Sequence, residues 1–251
     1  MLKKLILSFT PPLILVAIMW MVKLYEIHSG IDLGFHGVLP RHTDGLQGIF
    51  LSPFLHGSID HLWSNTLPFI VLMAALIFFY EEVWWQSFLM IYFLSGIGLW
   101  IGGRENYHIG ASGIVYGLTG FLFASGLIRR TVAAMSLSML VIFLYGGTIW
   151  GIFPMFKEVS WEAHLFGLLS GCMAAFVFSE SGPRKKLYQW EKDEVEELMG
   201  MHGSVNEVGK LQEAKGKENE GESEPDKTNL NSNLQSPFIN YIYTENKNPL
   251  P

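Results

Sequence analysis

Long apolar stretches separated by short polar ones make up most of the first 180 residues of the chain. A helix needs about 20 mostly apolar residues to cross the hydrocarbon core of a membrane, and six stretches approach that length. The pattern therefore predicts an all-α membrane protein built as a bundle of six transmembrane helices. The predicted spans are 5–23, 61–80, 84–101, 112–128, 131–153 and 161–178.

Two of these spans differ from ordinary membrane helices. The chain begins with basic and then apolar residues, as a signal peptide does, but the apolar run continues to about Lys23 and no small-x-small cleavage site follows it. We therefore predict an uncleaved first helix. The fourth span, 112–128, is only about 25 Å long as a helix. Such a helix can begin below the membrane surface if protein and a water-filled cavity shield its end.

Charge divides the chain near residue 181. Residues 181–251 contain 22 of the 40 charged side chains, whereas residues 1–180 contain nearly all the long apolar runs. We predict a membrane domain at 1–180 and a polar cytoplasmic tail at 181–251, helical at its start and then disordered, because its composition is too polar to form a core. The sequence names no partner for the tail. The net charge of −6 gives no reason to expect nucleic-acid binding.

Basic residues predict the orientation, because they concentrate in cytoplasmic loops. With the N-terminus inside, seven basic residues lie in inner segments and three in outer ones. The inner residues are Lys3, Lys4, Arg129, Arg130, Arg184, Lys185 and Lys186, and the outer ones are Arg41, Arg104 and Lys157. Both termini are therefore predicted to be cytoplasmic. The long first outer loop, 24–60, contains apolar residues and is predicted to be ordered at the membrane surface.

Four polar side chains stand at the predicted outer ends of apolar spans, where such residues are functional candidates. They are His61, Asn65, Ser112 and His164. Serine becomes a strong nucleophile when a base accepts its proton, and histidine is the usual base. A Ser112–His164 pair requires close packing of the fourth and sixth spans. Small residues at intervals of four permit that packing, and they are Ala163, Gly167 and Gly171 in one span and Gly113 and Gly117 in the other.

Donors for a developing oxyanion are also available. Ser112 at a helix start has a backbone N–H without an intrahelical acceptor, and His61 and Asn65 project from one helix face. Two other interpretations stay open from the residues alone: His61 can be an ordinary core histidine, or His56, His61 and His164 can bind a metal ion. No HExxH motif or acidic third ligand supports the metal site. Cys172, the one cysteine, is interpreted as a small core residue.

The chain resembles the rhomboid intramembrane serine proteases over roughly residues 5–180. The resemblance is carried by "HGSIDHLWSN", "GASGIVYG" and "AHLFGLLSG", in this order and each at the predicted outer end of a helix. These motifs contain His56, His61 and Asn65, then Gly110, Ser112, Gly113 and Tyr116, then Ala163, His164, Gly167 and Gly171. The resemblance implies a Ser112–His164 dyad without a third acidic residue and an oxyanion hole formed by His61, Asn65 and the Ser112 N–H.

The resemblance also implies supporting roles. Gly110 would let substrate backbone approach, Gly113 would permit tight packing behind the serine, and Tyr116 would stack on the catalytic histidine. His56 would be structural. Many family members carry a Trp-Arg pair in the first outer loop, but here Arg41 follows a proline, so the family's seating of that loop in the membrane is not carried over to this chain.

The resulting hypothesis is a multi-pass intramembrane serine endopeptidase that needs no cofactor or metal. Its predicted partners are transmembrane protein substrates and the lipid bilayer, and its predicted location is a bacterial plasma membrane. The family favours substrates with helix-breaking residues and a small residue before the cut. The first alternative is a catalytically inactive rhomboid-like protein that binds membrane clients. The second is an unrelated transporter or channel, which would call for charges or broken helices at the midplane.

Overall fold

The regular elements of the protein are helical. The computed structural model describes residues 2–155 and 159–182, and in these ranges no β-strand is present. An isolated backbone pair between Val38 and His108 is the one β-bridge found there. The predicted tail at 181–251 lies outside the described residues from 183 onward. All described residues belong to one compact unit, Met1–Lys186.

Seven α-helices account for most of the described chain. Five helical stretches are long and apolar enough to cross a membrane, and one of these consists of α6 and the 3₁₀ helix Gly146–Ile152 that continues it. A sixth apolar helix, α7, is shorter at 17 residues. The all-α membrane fold is therefore confirmed. The helices are α1 Leu2–Ser29, α2 Gly48–Leu51, α3 Ile59–Phe79, α4 Trp84–Gly102, α5 Ser112–Arg129, α6 Val132–Tyr145 and α7 Trp161–Val177.

Serine caps define the starts of α3 and α7. The Ser58 hydroxyl accepts the backbone N–H of His61 at 3.0 Å, and the Ser160 hydroxyl accepts that of Ala163 at 3.4 Å. A serine at this position satisfies one of the N–H groups that a helix leaves without a partner. Both caps place a histidine in the first turn of the helix, His61 in α3 and His164 in α7.

Helices α5 and α7 meet along a seam of glycines. A Cβ added at Gly167 would overlap the carbonyl oxygen of Gly113, and one at Gly171 would overlap that of Gly117. Backbones approach this closely only where neither helix carries a side chain. Residue numbers rise together along the seam, so α5 and α7 run parallel. Their first turns therefore lie at one end of the bundle, which we call the site end.

The loop between α1 and α3, which is predicted from the sequence to be the first outer loop, is ordered by short helical turns and by contacts with α4. Besides α2 it contains 3₁₀ turns at Gly34–His36, Thr43–Gly45 and Ser52–Phe54. Arg41 donates its backbone N–H to the Trp100 carbonyl at 2.9 Å and its guanidinium to the Gly103 carbonyl at 2.7 Å. The loop is thus attached to the end of α4, although it lacks the tryptophan of the family pair.

An arginine joins α5 and α7 at the opposite end of the bundle. The Arg129 guanidinium donates to the Ser181 carbonyl at 2.7 Å and also to the Phe178 carbonyl. It lies 4.9 Å from the centre of the Tyr80 ring, within cation–π range. The two helices that carry the candidate dyad are thus linked at both ends.

Candidate active site

Ser112 and His164 are hydrogen-bonded to each other at the site end. Ser112 is the first residue of α5 and His164 lies in the first turn of α7. The Ser112 Oγ is 2.8 Å from the His164 Nε2. The glycine seam places the two first turns side by side, since a Cβ added at Gly113 would lie only 3.2 Å from the Ala163 carbonyl oxygen. Two residues 52 positions apart are therefore at the distance that direct proton transfer requires.

A backbone carbonyl determines which nitrogen of His164 can accept the proton. The other ring nitrogen, Nδ1, lies 2.9 Å from the Gly151 carbonyl oxygen. A carbonyl only accepts hydrogen bonds, so a neutral His164 carries its proton on Nδ1. The Nε2 lone pair is then free to accept the hydroxyl proton of Ser112. The carbonyl of Gly151 thus occupies the position that a carboxylate has in a serine–histidine–aspartate triad.

Tyr116 stacks on the His164 ring. The two rings are parallel within 5° and their centres are 4.1 Å apart. The Tyr116 hydroxyl donates to the Thr148 carbonyl at 2.6 Å. Thr148 and Gly151 both belong to the 3₁₀ helix after α6, so one short segment contacts the histidine and the tyrosine that stacks on it.

His61 and Asn65 line the same cavity as Ser112. The Asn65 amide donates one N–H to the His61 carbonyl at 2.9 Å and keeps a second N–H for another acceptor. Gly110 adjoins this group, with a φ of +113° that side chains rarely permit. A Cβ at Gly110 would lie 2.7 Å from the His61 ring. The structure therefore shows a different reason for this glycine from the one the resemblance implied, which is to leave room for the His61 imidazole.

His56 lies behind His61 and is almost completely buried. Its ring meets that of His61 edge to face at 5.1 Å, and neither ring nitrogen has a hydrogen-bond partner at good geometry among the described residues. Burial lowers the pKa of His56 to about 4, although the nearby Phe54 carbonyl acts in the opposite direction. The backbone here is attached to α1, because the Lys23 ammonium donates to the His56 carbonyl at 2.8 Å.

The candidate residues open into a cavity of about 660 Å³. Along α5 its lining runs from Ser112 through Tyr116 to Thr119, which is about 10 Å at the helical rise per residue. The 3₁₀ helix after α6 and the loop 103–111 between α4 and α5 supply other walls. Within 2–155 and 159–182 no group of three or more His, Cys, Asp or Glu side chains could hold a metal ion.

Sequence reasoning missed several groups at this site. The carbonyls of Thr148 and Gly151 were missed because a backbone acceptor has no signature in the sequence. His108 and Ser160 also line the cavity, and their side chains are 2.6 Å apart. The available signal was a histidine four residues before Ser112 and a serine four residues before His164.

Comparisons with known proteins agree with this architecture. A family model described as "Rhomboid domain" matches residues 44–181. An uncharacterized protein of Mycobacterium tuberculosis is 35% identical over 188 residues, which is 70% of this chain and 77% of that protein. A Bacillus subtilis protein named "Putative rhomboid protease YdcA" is 28% identical over 137 residues, 52% of this chain and 66% of that one. Human "Inactive rhomboid protein 2" is 30% identical over 152 residues, 55% of this chain and 16% of that one.

The chain belongs to the rhomboid family and is a multi-pass integral membrane protein. The family contains relatives named as a protease and as inactive, so membership alone does not decide whether this chain is an enzyme. That question depends on the site.

Proposed function

We propose that the protein is an intramembrane serine endopeptidase that cleaves peptide bonds in or near transmembrane helices of other proteins. The single observation that carries the proposal is the Ser112–His164 hydrogen bond of 2.8 Å, in a ring whose Nδ1 is hydrogen-bonded to the Gly151 carbonyl oxygen. This geometry provides a nucleophile, a base and the correct tautomer of the base. No cofactor takes part.

In the acylation step, Ser112 Oγ attacks the carbonyl carbon of the scissile peptide bond while its proton moves to His164 Nε2. The imidazolium then has two N–H groups, and the Gly151 carbonyl stabilises the one on Nδ1. Collapse of the tetrahedral intermediate breaks the C–N bond, and Nε2–H gives its proton to the leaving amine. The product is an acyl ester on Ser112.

The tetrahedral intermediate carries negative charge on the former carbonyl oxygen. In the proposal, three residues that line the cavity supply donors for it: Ser112 through its backbone N–H at the positive end of α5, His61 through its ring, and Asn65 through its second amide N–H. In the deacylation step, His164 takes a proton from water, whose oxygen attacks the ester. The ester bond between the acyl carbon and Ser112 Oγ then breaks, Nε2–H returns its proton to Oγ, and a carboxylic acid is released.

The remaining elements of the proposal follow from topology and family. Both termini face the cytoplasm, the membrane is a bacterial plasma membrane, and the site end faces outward. The partners are transmembrane protein substrates within the lipid bilayer. A helical peptide bond is hidden from the nucleophile, so substrates with helix-breaking residues and a small residue before the cut are favoured.

Two serine and two histidine variants test the proposal. Ser112→Ala and His164→Ala are expected to lose cleavage of a reporter transmembrane substrate in proteoliposomes and to stay folded. The matched controls are Ser138→Ala, a buried serine in α6, and His42→Ala, an exposed histidine of the first outer loop. Both controls should cleave at the wild-type rate. Undiminished cleavage by Ser112→Ala would refute the mechanism.

The second candidate function is binding of membrane clients without cleavage, suggested by the similarity to a relative named as inactive. Labelling with a fluorophosphonate distinguishes the two functions. Active protein should be modified at Ser112, and His164→Ala should not be. A wild-type protein that binds transmembrane segments without being labelled would favour the second function.

A further inference from the structure

The side chain of His108 makes two directed hydrogen bonds, although the mechanism above does not use it. It lies in the loop 103–111, and only 4% of it is exposed. Its Nε2 is 2.9 Å from the Arg104 carbonyl and its Nδ1 is 2.6 Å from the Ser160 hydroxyl. Because a carbonyl only accepts, Nε2 carries the proton and Nδ1 accepts the Ser160 O–H. Burial lowers the pKa of His108, which agrees with a neutral ring.

Ser160 connects this contact to the catalytic base. It is the cap of α7, and its carbonyl accepts the backbone N–H of His164 at 3.3 Å. A displacement of Ser160 therefore displaces the turn that carries His164. The pair His108–Ser160 stands four residues before the pair Ser112–His164 on both segments, and in each pair the partners are 52 positions apart.

The backbone of His108 is itself fixed. Its N–H donates to the Val38 carbonyl and its carbonyl accepts the Val38 N–H, each at 2.9 Å. His108 therefore links the first outer loop to the start of α7. It does so in the segment that leads directly into Ser112.

An ion pair between a half-exposed arginine and a buried glutamate joins the same two segments. The Arg104 Nε lies 3.3 Å from a carboxylate oxygen of Glu162, which is 2% exposed, and the Arg104 guanidinium also donates to the Val159 carbonyl. A buried carboxylate needs such a partner. The ion pair holds the segments together, and the directed hydrogen bond from Ser160 to His108 sets their register.

We propose that His108 is a positioning residue of the dyad: by binding the capping hydroxyl of Ser160 it holds the first turn of α7 at the height where His164 meets Ser112. The inference rests on the proposed function. His108 does not touch the reacting atoms in this role. Its contribution is to the fraction of molecules in which the dyad hydrogen bond is formed, which affects kcat rather than substrate binding.

Two substitutions at residue 108 separate positioning from packing. His108→Phe keeps the ring volume and loses both side-chain hydrogen bonds. His108→Asn is smaller but places a carbonyl oxygen near the former Nδ1, where it can accept from Ser160. We expect kcat of the phenylalanine variant to fall about tenfold, because the hydrogen bond that positions Ser160 is lost. Its KM should stay within about twofold of wild type. The asparagine variant should keep most of kcat. Packing alone predicts the reverse order.

Substitutions of the partner repeat the test where residue 108 does not tolerate change. Ser160→Gly keeps an acceptable cap but cannot bind His108, whereas Ser160→Thr keeps the hydroxyl. The glycine variant should lose kcat as His108→Phe does, and the threonine variant should not. All variants are assayed well below their own melting temperatures, with Glu105→Gln as a control on the exposed side of the same loop.

Each outcome decides the question. The positioning role is overturned, and the proposed function is not, if His108→Phe and Ser160→Gly both have wild-type kcat. The same holds if the phenylalanine variant is more active than the asparagine variant. A wild-type protein that cleaves no faster than Ser112→Ala overturns the proposed function, and the positioning role with it. The order wild type, asparagine, phenylalanine in kcat supports it.

Discussion

Replacing Gly110 by alanine should impair both folding and activity, for two separable reasons. The backbone there has a φ of +113°, and strain of this kind costs about 1–3 kcal/mol for a residue with a side chain. The new Cβ would also lie 2.7 Å from the His61 ring. To restore an ordinary carbon–carbon separation of about 3.5 Å, the ring must move by about 0.8 Å.

The displacement of His61 determines the expected loss of activity. One misplaced oxyanion donor costs about 10²–10³ in kcat where it has been measured. Three donors share the charge in the proposed mechanism, so we expect kcat of Gly110→Ala to fall at least about tenfold. The assay is cleavage of a reporter transmembrane substrate in proteoliposomes, with the melting temperature of each variant measured in parallel.

Gly30→Ala is the matched control for backbone strain. Gly30 also has a positive φ, of +70°, but no heavy atom lies within 4 Å of its Cβ position. This variant should be destabilised and should keep wild-type kcat. The double variant Gly110→Ala with His61→Ala should be no less active than His61→Ala alone, because there is no ring left to displace. An additive loss in the double variant, or wild-type kcat for Gly110→Ala, would refute the reasoning.

Two further predictions concern stability. Acid should destabilise the protein through His56, because the pKa of this buried residue is about 4 and its ordinary value is 6.5. The contribution of His56 to the free energy of unfolding is complete above pH 6.5 and declines by about 3 kcal/mol as the pH falls to 4. Unfolding curves across this range should be less pH-dependent for His56→Phe, and an unchanged slope would contradict the assignment. Gly171→Ala should force α5 and α7 apart and lower the melting temperature and kcat together. Gly147→Ala, where no atom lies within 4 Å of the Cβ position, should do neither; equal effects of the two would argue against the seam.

The side chains of the candidate site could be proposed from sequence because each is a polar residue at the start of an apolar span. Ser112, His164 and His61 stand out against their neighbours, and helix starts are readable from such boundaries. The glycines of the seam could also be predicted from sequence, because the interval of four residues that places them on one face is visible within each helix alone.

Other parts of the site depend on tertiary structure that no local pattern encodes. The apolar run 131–153 reads as one helix, but the α-helix ends at Tyr145 and a 3₁₀ helix follows. This change of geometry brings the Gly151 carbonyl to His164. His108 and Ser160 are 52 positions apart, and the signal for their pairing is their equal spacing, four residues before Ser112 and His164, which becomes informative only once the dyad itself is paired.

The lengths of the central helices make bilayer thickness a variable of the proposed reaction. Helices α5 and α7 have 18 and 17 residues, or about 25–27 Å, whereas the hydrocarbon core is about 30 Å thick. Ser112 and His164 lie in the first turns of these helices, so their depth in the bilayer depends on where the C-terminal ends of α5 and α7 are anchored. Lipids with shorter acyl chains would bring Ser112 nearer to bulk water, and longer chains would bury it further. The composition of the membrane would then set how readily water reaches the ester on Ser112.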